Sequence, residues 1–361
     1  MNIGILSMQK IHNYGSFLQA FSLKKQLEAR GHNVYFIDIL PGKQIANSPA
    51  VHGGSILSKF DRYFFKRIEN YLLYKKMAKI HIDDYQKYLE TEKSLPSDQS
   101  FDLVIIGSDE VFNATVPSPW GFTTQLFGDV DNAKRVVTYA ASCGSTTLEG
   151  AKEYGIEDDL RGAMQKLESI SVRDVNTAAF VKGILGVSPE MHVDPVFISS
   201  FDEHIPVVPR RKPYLLVYAY ANRIDDPSEI AAIKAYAKKN KLEILCVGMQ
   251  QRWCSHNISA NAFELLAYVK NAACIVTDTF HGTVFSIKYN KKFVSLIRES
   301  NKNKLGGLLG QFGLLSRSVD ELDRFDEIME NPIDYVATNE MIKAEQQRSY
   351  GYLDRVTQTE A

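Results

Sequence analysis

The residues best suited to chemistry stand in one short stretch, Thr277-Asp278-Thr279-Phe280-His281-Gly282-Thr283. A histidine exchanges protons near neutral pH, so His281 suits a general acid or a ligand for phosphate. Asp278 suits a base toward a hydroxyl. Gly282 lets the backbone approach a ligand closely, and Thr283 adds a hydroxyl. The plain alternative is a histidine that hydrogen-bonds its own turn. Further polar groups recur at Asn13-Tyr14-Gly15, Ser108-Asp109 with Asn113, Ser142 with Gly144, Arg173-Asp174 and Asp194. The Arg173 fork matches a carboxylate or a phosphate; its alternative is a structural ion pair with Asp174 or another carboxylate. Asp194, before Pro195, reads as a turn or cap residue.

These groups need elements to hold them. Residues 273–276 are an apolar run fit for a strand buried on both faces. Thr277, Asp278 and Thr279 are helix-capping types, and apolar periodicity follows through Val284, Phe285 and Ile287. Strand, tight turn, helix puts the motif at the carboxyl end of a strand, where open α/β sheets bind ligands. A helix start there suits an anion. The same logic places strands at 2–8, 32–40, 101–106, 135–141, 170–174 and 191–197, with helices at 17–29, 158–167 and 175–185 between them. The polar groups of the first half then fall at strand ends. A second α/β series follows: strand 214–220, helix 227–240, strand 242–247, helix 261–271, strand 292–297, helix 304–312. The segment 200–212, rich in Pro and charge, reads as a linker, and 339–353 as a polar helix. Residues 120–127 are aromatic and are expected to line a cleft.

Composition narrows the classes. The chain has 361 residues, 45% hydrophobic and 24% charged, which suits a two-domain globular protein. A net charge of −1 gives no global field for nucleic acid. Cys143, Cys246, Cys254 and Cys274 lack C-x-x-C spacing, so neither a zinc site nor a disulfide framework is expected, and no metal is assigned. Free thiols fit a cytoplasmic protein. Residues 1–6 read as a strand rather than a leader, and no apolar run reaches membrane-spanning length. Neither G-x-G-x-x-G nor a P-loop occurs. Residues 55–79 carry seven basic side chains against Asp61 and Glu69. They read either as a solvated helix face or as a surface for an anionic lipid or a lipid-linked substrate at the inner membrane.

Taken together, Asn13 to Ala20, Gly107 to Asn113, Tyr139 to Ser142, Ser171 to Asp174, Asp194-Pro195 and Thr277 to Gly282 resemble the polysaccharide pyruvyl transferase family. The resemblance implies an α/β, GT-B-like fold of two Rossmann-like domains facing a cleft. On that basis the domains are expected at 1–205 (acceptor side, with a basic insertion at 55–92) and 206–335 (donor side), with a helix over 336–361 packing back on the first. It also implies transfer of pyruvate from phosphoenolpyruvate to two sugar hydroxyls as a ketal during cell-surface polysaccharide synthesis. No cofactor beyond that donor substrate is expected, and the partner is a saccharide acceptor.

Within this reading, His281, Asp109 and Asp278 are the catalytic candidates. Arg173, His281, Gly282, Thr283 and Lys304 are expected on the donor, and Asn13, Tyr14, Gly15, Ser108, Asn113 and Ser142 on the acceptor. The chain departs from the family pattern at Thr279, where relatives carry Arg, and at Lys304, again commonly Arg. Arg298, Lys302 and Lys304 are expected to supply the missing charge. Two alternatives stand beside this reading. One is a nucleotide-sugar glycosyltransferase, with Glu299 the candidate for holding a donor ribose. The other is a catalytically weak saccharide-binding homologue.

Overall fold

The computed structural model describes residues 1–9, 11–45, 75–76, 78–96, 98–116, 118–209, 212–221, 223–298, 301–319 and 322–358. Most of the basic stretch 55–79, and Glu299, lie outside these residues; Lys75, Lys76 and Lys79 are described and exposed. The chain divides into two compact units. The first takes residues 1–45, 85–199 and 344–358 and the second 75–84 and 200–343, among the described residues.

The first unit is built on parallel strands β1 (Asn2–Leu6), β2 (Asn33–Phe36), β3 (Leu103–Ile106) and β4 (Val136–Thr138), in the order β2-β1-β3-β4. Ile3 pairs with Val34 on one side and Leu103 on the other, and Ile106 pairs with Thr138. All four residues of β3 are buried, as a parallel strand covered on both faces requires. Isolated bridges Val137–Ser169 and Ala141–Val172 carry the pairing on to β5 (Ser171–Val172), which pairs with β6 (Glu190–Met191). Helix Tyr14–Glu28 starts where the Asn13 side chain accepts from the Gly15 N–H at 2.7 Å. The last helix, Tyr335–Val356, enters this unit at residue 344. There Tyr352 donates to the Thr138 carbonyl (2.7 Å), Tyr350 to that of Ile198 (2.9 Å) and Gln346 to that of Phe197 (2.6 Å).

Two local expectations are overturned here. Residues 120–127 do not line a cleft: Phe122, Leu126 and Phe127 are core residues, and Phe127 stacks on Phe112 at 5.2 Å. Aromatic rings recover more by burial than by lining solvent. Residues 191–197 are not one strand. β6 stops at Met191, and Asp194 caps a short helix, Pro195–Ile198, accepting from the Val196 N–H at 3.0 Å. Proline at the first helical position has no N–H to waste.

The second unit holds β7 (Tyr214–Tyr218), β8 (Glu243–Val247), β9 (His256–Ile258), β10 (Cys274–Thr277), β11 (Phe293–Leu296) and β12 (Ser318–Val319), all parallel, in the order β12-β11-β10-β7-β8-β9. The chain winds outward from β7 through β8 to β9, then returns to β10 on the other side of β7 and winds outward again. The order therefore reverses between β7 and β10, as it does between β1 and β3 in the first unit. Carboxyl ends of strands at such reversals form the crevice where α/β sheets bind ligands. The fold is α/β with two Rossmann-like units. No helix among the described residues is long and apolar enough to cross a membrane.

Candidate active site

At the reversal of the second unit, β10 ends at Thr277 and helix Phe280–Lys288 begins three residues later. Thr279 is its N-cap, and its hydroxyl oxygen accepts from the Gly282 N–H at 2.9 Å. The Thr277 hydroxyl donates to the Tyr218 carbonyl at 2.6 Å, tying the turn to β7. Gly282 is required by packing: a Cβ there would lie 2.0 Å from Thr277 Oγ1 and 2.7 Å from Thr279 Oγ1. Thr283 is fully buried, donating to the Thr279 carbonyl and pairing with the Ser295 hydroxyl at 2.8 Å. The expected donor contacts at Gly282 and Thr283 are thus already spent inside the turn. A short strand-to-helix junction must satisfy its own backbone first. His281 is buried, with its ring 5.3 Å from that of Phe280 and 6.0 Å from that of Phe285.

Asp278 is wholly enclosed and engages Arg223 Nε at 2.9 Å. Burial raises its pKa above the ordinary carboxylate value, against the pull of Arg223 and Arg298. Asn301 fixes the same turn: its side-chain amide donates to the Asp278 carbonyl at 2.7 Å, and its oxygen accepts from the Arg298 N–H at 2.7 Å. Arg298, expected to supply charge for a ligand, is instead paired with Glu229 through both of its Nη atoms. Lys302 is exposed and Lys304 half-buried in the first turn of helix Lys302–Gln311.

In the first unit the strand ends gather a different set. Arg173, expected to face a donor anion, is 2% exposed at its side chain and pairs with Asp194 at 2.9 Å. Asp109 lies 3.8 Å from the same guanidinium. A buried arginine needs a buried carboxylate nearby, and the residue read as a turn former supplies it. Asp109 keeps 17% of its side chain exposed, and its Oδ2 accepts from the Ser16 hydroxyl. Its φ of 76° places it in the left-handed region, as does the 50° of Ala140 at the neighbouring strand end. Non-glycine residues there carry strain, which gathers at functional sites.

The remaining acceptor-side candidates serve the framework. The Ser108 hydroxyl donates to Asp194 (3.2 Å) and that of Ser142 to Asp174 (2.8 Å), and both residues are fully buried. Asn113 donates to Glu110 at 2.7 Å and accepts from the Thr146 hydroxyl at 2.9 Å. Tyr14 is buried, and Asn13 and Gly15 form the helix cap. Sequence reasoning missed Ser16, Arg223 and Asn301. A basic residue just past the carboxyl end of β7 was the available signal for Arg223; the others follow only from contacts. Among the described residues, no cluster of three or more His, Cys, Asp or Glu side chains is placed to hold a metal ion.

Comparison with known proteins bears on the family and the fold. A sequence profile described as polysaccharide pyruvyl transferase matches residues 13–300, and the chain belongs to that family of transferases. Its fold is GT-B-like. An Arabidopsis thaliana structure, UGT89C1, aligns over 98% of both chains with a TM-score of 0.50 and 10% identity. The structure of LpCGTa in complex with UDP aligns over 99% of both chains with a TM-score of 0.50 and 11% identity. At such identities the likeness concerns the fold alone. Among curated sequences, the carbamoyl phosphate synthase large chain of Streptomyces griseus is 30% identical over 114 residues, which span 30% of this chain and 10% of that protein.

Proposed function

We propose that this family member transfers pyruvate from phosphoenolpyruvate to two hydroxyls of a saccharide as a ketal, in the synthesis of cell-surface polysaccharide. The observation that carries the reading is the family match over residues 13–300, which includes the Thr277–Gly282 turn at a strand-order reversal. The chemistry needs a proton for the enol methylene, giving an oxocarbenium-like centre at the central carbon. One sugar hydroxyl and then a second add to that carbon, each losing its proton, while the C–O bond to phosphate breaks. One hydroxyl proton balances the one taken up by the methyl group, and the other leaves with phosphate. His281 is assigned to the donor phosphate and to proton delivery. Asp109, partly exposed and held by Ser16, is assigned as base toward the acceptor hydroxyl. Lys304 is assigned to donor charge. The protein requires no cofactor in this scheme.

The test is incubation with phosphoenolpyruvate and a panel of free and lipid-linked saccharides. Acceptor-dependent release of phosphate, with pyruvate appearing on the acceptor by mass spectrometry, supports the reading. Turnover of a sugar nucleotide instead would make the chain a glycosyltransferase. Saccharide binding with neither reaction would make it a binding protein.

A further inference from the structure

In the turn after β10, Thr279 is occupied as a helix cap. Arg298 is occupied by Glu229. The same strand end nevertheless holds another guanidinium. Arg223 lies just past β7, and Asp278 just past β10. These strands are neighbours, Tyr218 pairing with Thr277, at the point where strand order reverses. Asp278 engages Arg223 Nε at 2.9 Å and is itself wholly enclosed, while the Arg223 side chain keeps 30% of its surface exposed. The guanidinium also lies 5.5 Å from the ring centre of Tyr220, an aromatic residue that is 40% exposed. Arg298 Nη2 reaches the Arg223 carbonyl at 3.5 Å, so the backbone of this loop is held as well.

We infer that Arg223 is the residue that grips the donor's anionic group, carboxylate or phosphate, and that Asp278 is its positioning residue rather than a base. This rests on the proposed donor and specifies how it is held. A guanidinium fixed before the ligand arrives loses little freedom on binding, and its planar fork suits carboxylate or phosphate in a way that an ammonium does not. Asp278 lies against the Nε edge of this fork, and the Arg223 side chain keeps 30% of its surface exposed. A buried carboxylate is poorly placed to reach a substrate hydroxyl, and that argues against the catalytic role first expected of Asp278.

The experiment is calorimetric titration of the full chain with phosphoenolpyruvate and with inorganic phosphate, for the parent, Arg223→Gln, Arg223→Lys, Asp278→Asn and Lys238→Gln, with thermal melts to establish folding. Arg223→Gln should weaken phosphoenolpyruvate at least tenfold and Arg223→Lys less, while Lys238→Gln, exposed in the last turn of helix Pro227–Lys239, should change it under threefold. Weakened phosphate as well would assign Arg223 to the phosphate, and unchanged phosphate would assign it to the carboxylate. Asp278→Asn should raise KM with kcat held within a few fold. Parent-like affinity in folded Arg223→Gln would overturn the assignment and leave the proposed function standing. A hundredfold fall in kcat at constant KM in Asp278→Asn would make Asp278 a base and overturn its positioning role. A parent that binds no phosphoenolpyruvate would remove both this inference and the proposed donor.

Discussion

Arg173 Nη1 donates to Asp194 Oδ2 at 2.9 Å, and the two side chains are 2% and 1% exposed. Ser108 adds a hydrogen bond to the same Asp194 oxygen, and Asp194 caps helix Pro195–Ile198 through its other oxygen. One buried ion pair therefore fastens three strand-end segments of the first unit. Arg173→Met would strand a buried carboxylate, and loss of one partner of such a pair costs about 3–5 kcal/mol. Urea denaturation should show that loss, with donor affinity unchanged in the folded fraction. A normal midpoint with weakened phosphoenolpyruvate would return Arg173 to the donor site.

His281→Ala should cut turnover by about a hundredfold, the common range for a proton-transfer group. His281→Gln separates the roles, since an amide can donate to phosphate but cannot deliver a proton at neutral pH. Recovery with Gln assigns binding; failure assigns acid catalysis. Near-parent turnover in the alanine variant would reduce the turn to structure.

Gly282→Ala should destabilise the second unit by about 1–3 kcal/mol, the usual cost of forcing a methyl into a packed site. The clash is with the Thr277 and Thr279 hydroxyl oxygens, 2.0 and 2.7 Å from the added carbon. Thr279→Arg should lose the N-cap at about 1 kcal/mol. Thermal melts of both variants check the pair; unshifted melting in either would contradict the contacts.

Burial holds the Asp278 pKa above its ordinary value. A raised folded-state pKa contributes stability that is present below the unfolded value and lost as pH rises through the folded one. Asp278→Asn removes this dependence. The parent should therefore lose stability relative to the variant between about pH 4 and pH 7. Parallel urea midpoints at the two values would show that Arg223 fully offsets the burial.

His192 presents the opposite sign. Burial pulls it from 6.5 down to about 4, its Nδ1 pairs with the Ser171 hydroxyl at 2.8 Å, and its ring lies 4.6 Å from that of Tyr352 on the last helix. The neutral form is native, so stability is complete above 6.5 and falls as pH drops toward about 4. His192→Asn should flatten that acid limb, which circular dichroism melts across the range would register. An unchanged limb would place the acid sensitivity elsewhere.

The sequence alone determined the alternation of strand and helix, because parallel strands buried on both faces read as apolar runs and caps are local. It also determined the strand-to-helix turn after β10: Thr277, Asp278, Thr279 and Gly282 are chemically distinctive and adjacent in the chain. It marked Asp109 and Arg173 as strand-end residues. Only the tertiary structure decided which of these groups remained available. Arg173 met Asp194, Arg298 met Glu229, and Ser108 and Ser142 met carboxylates, because pairing depends on strand order, and partners 21 to 86 positions apart leave no periodic trace. Arg223 stood outside any motif and met Asp278 only when β10 came to lie beside β7.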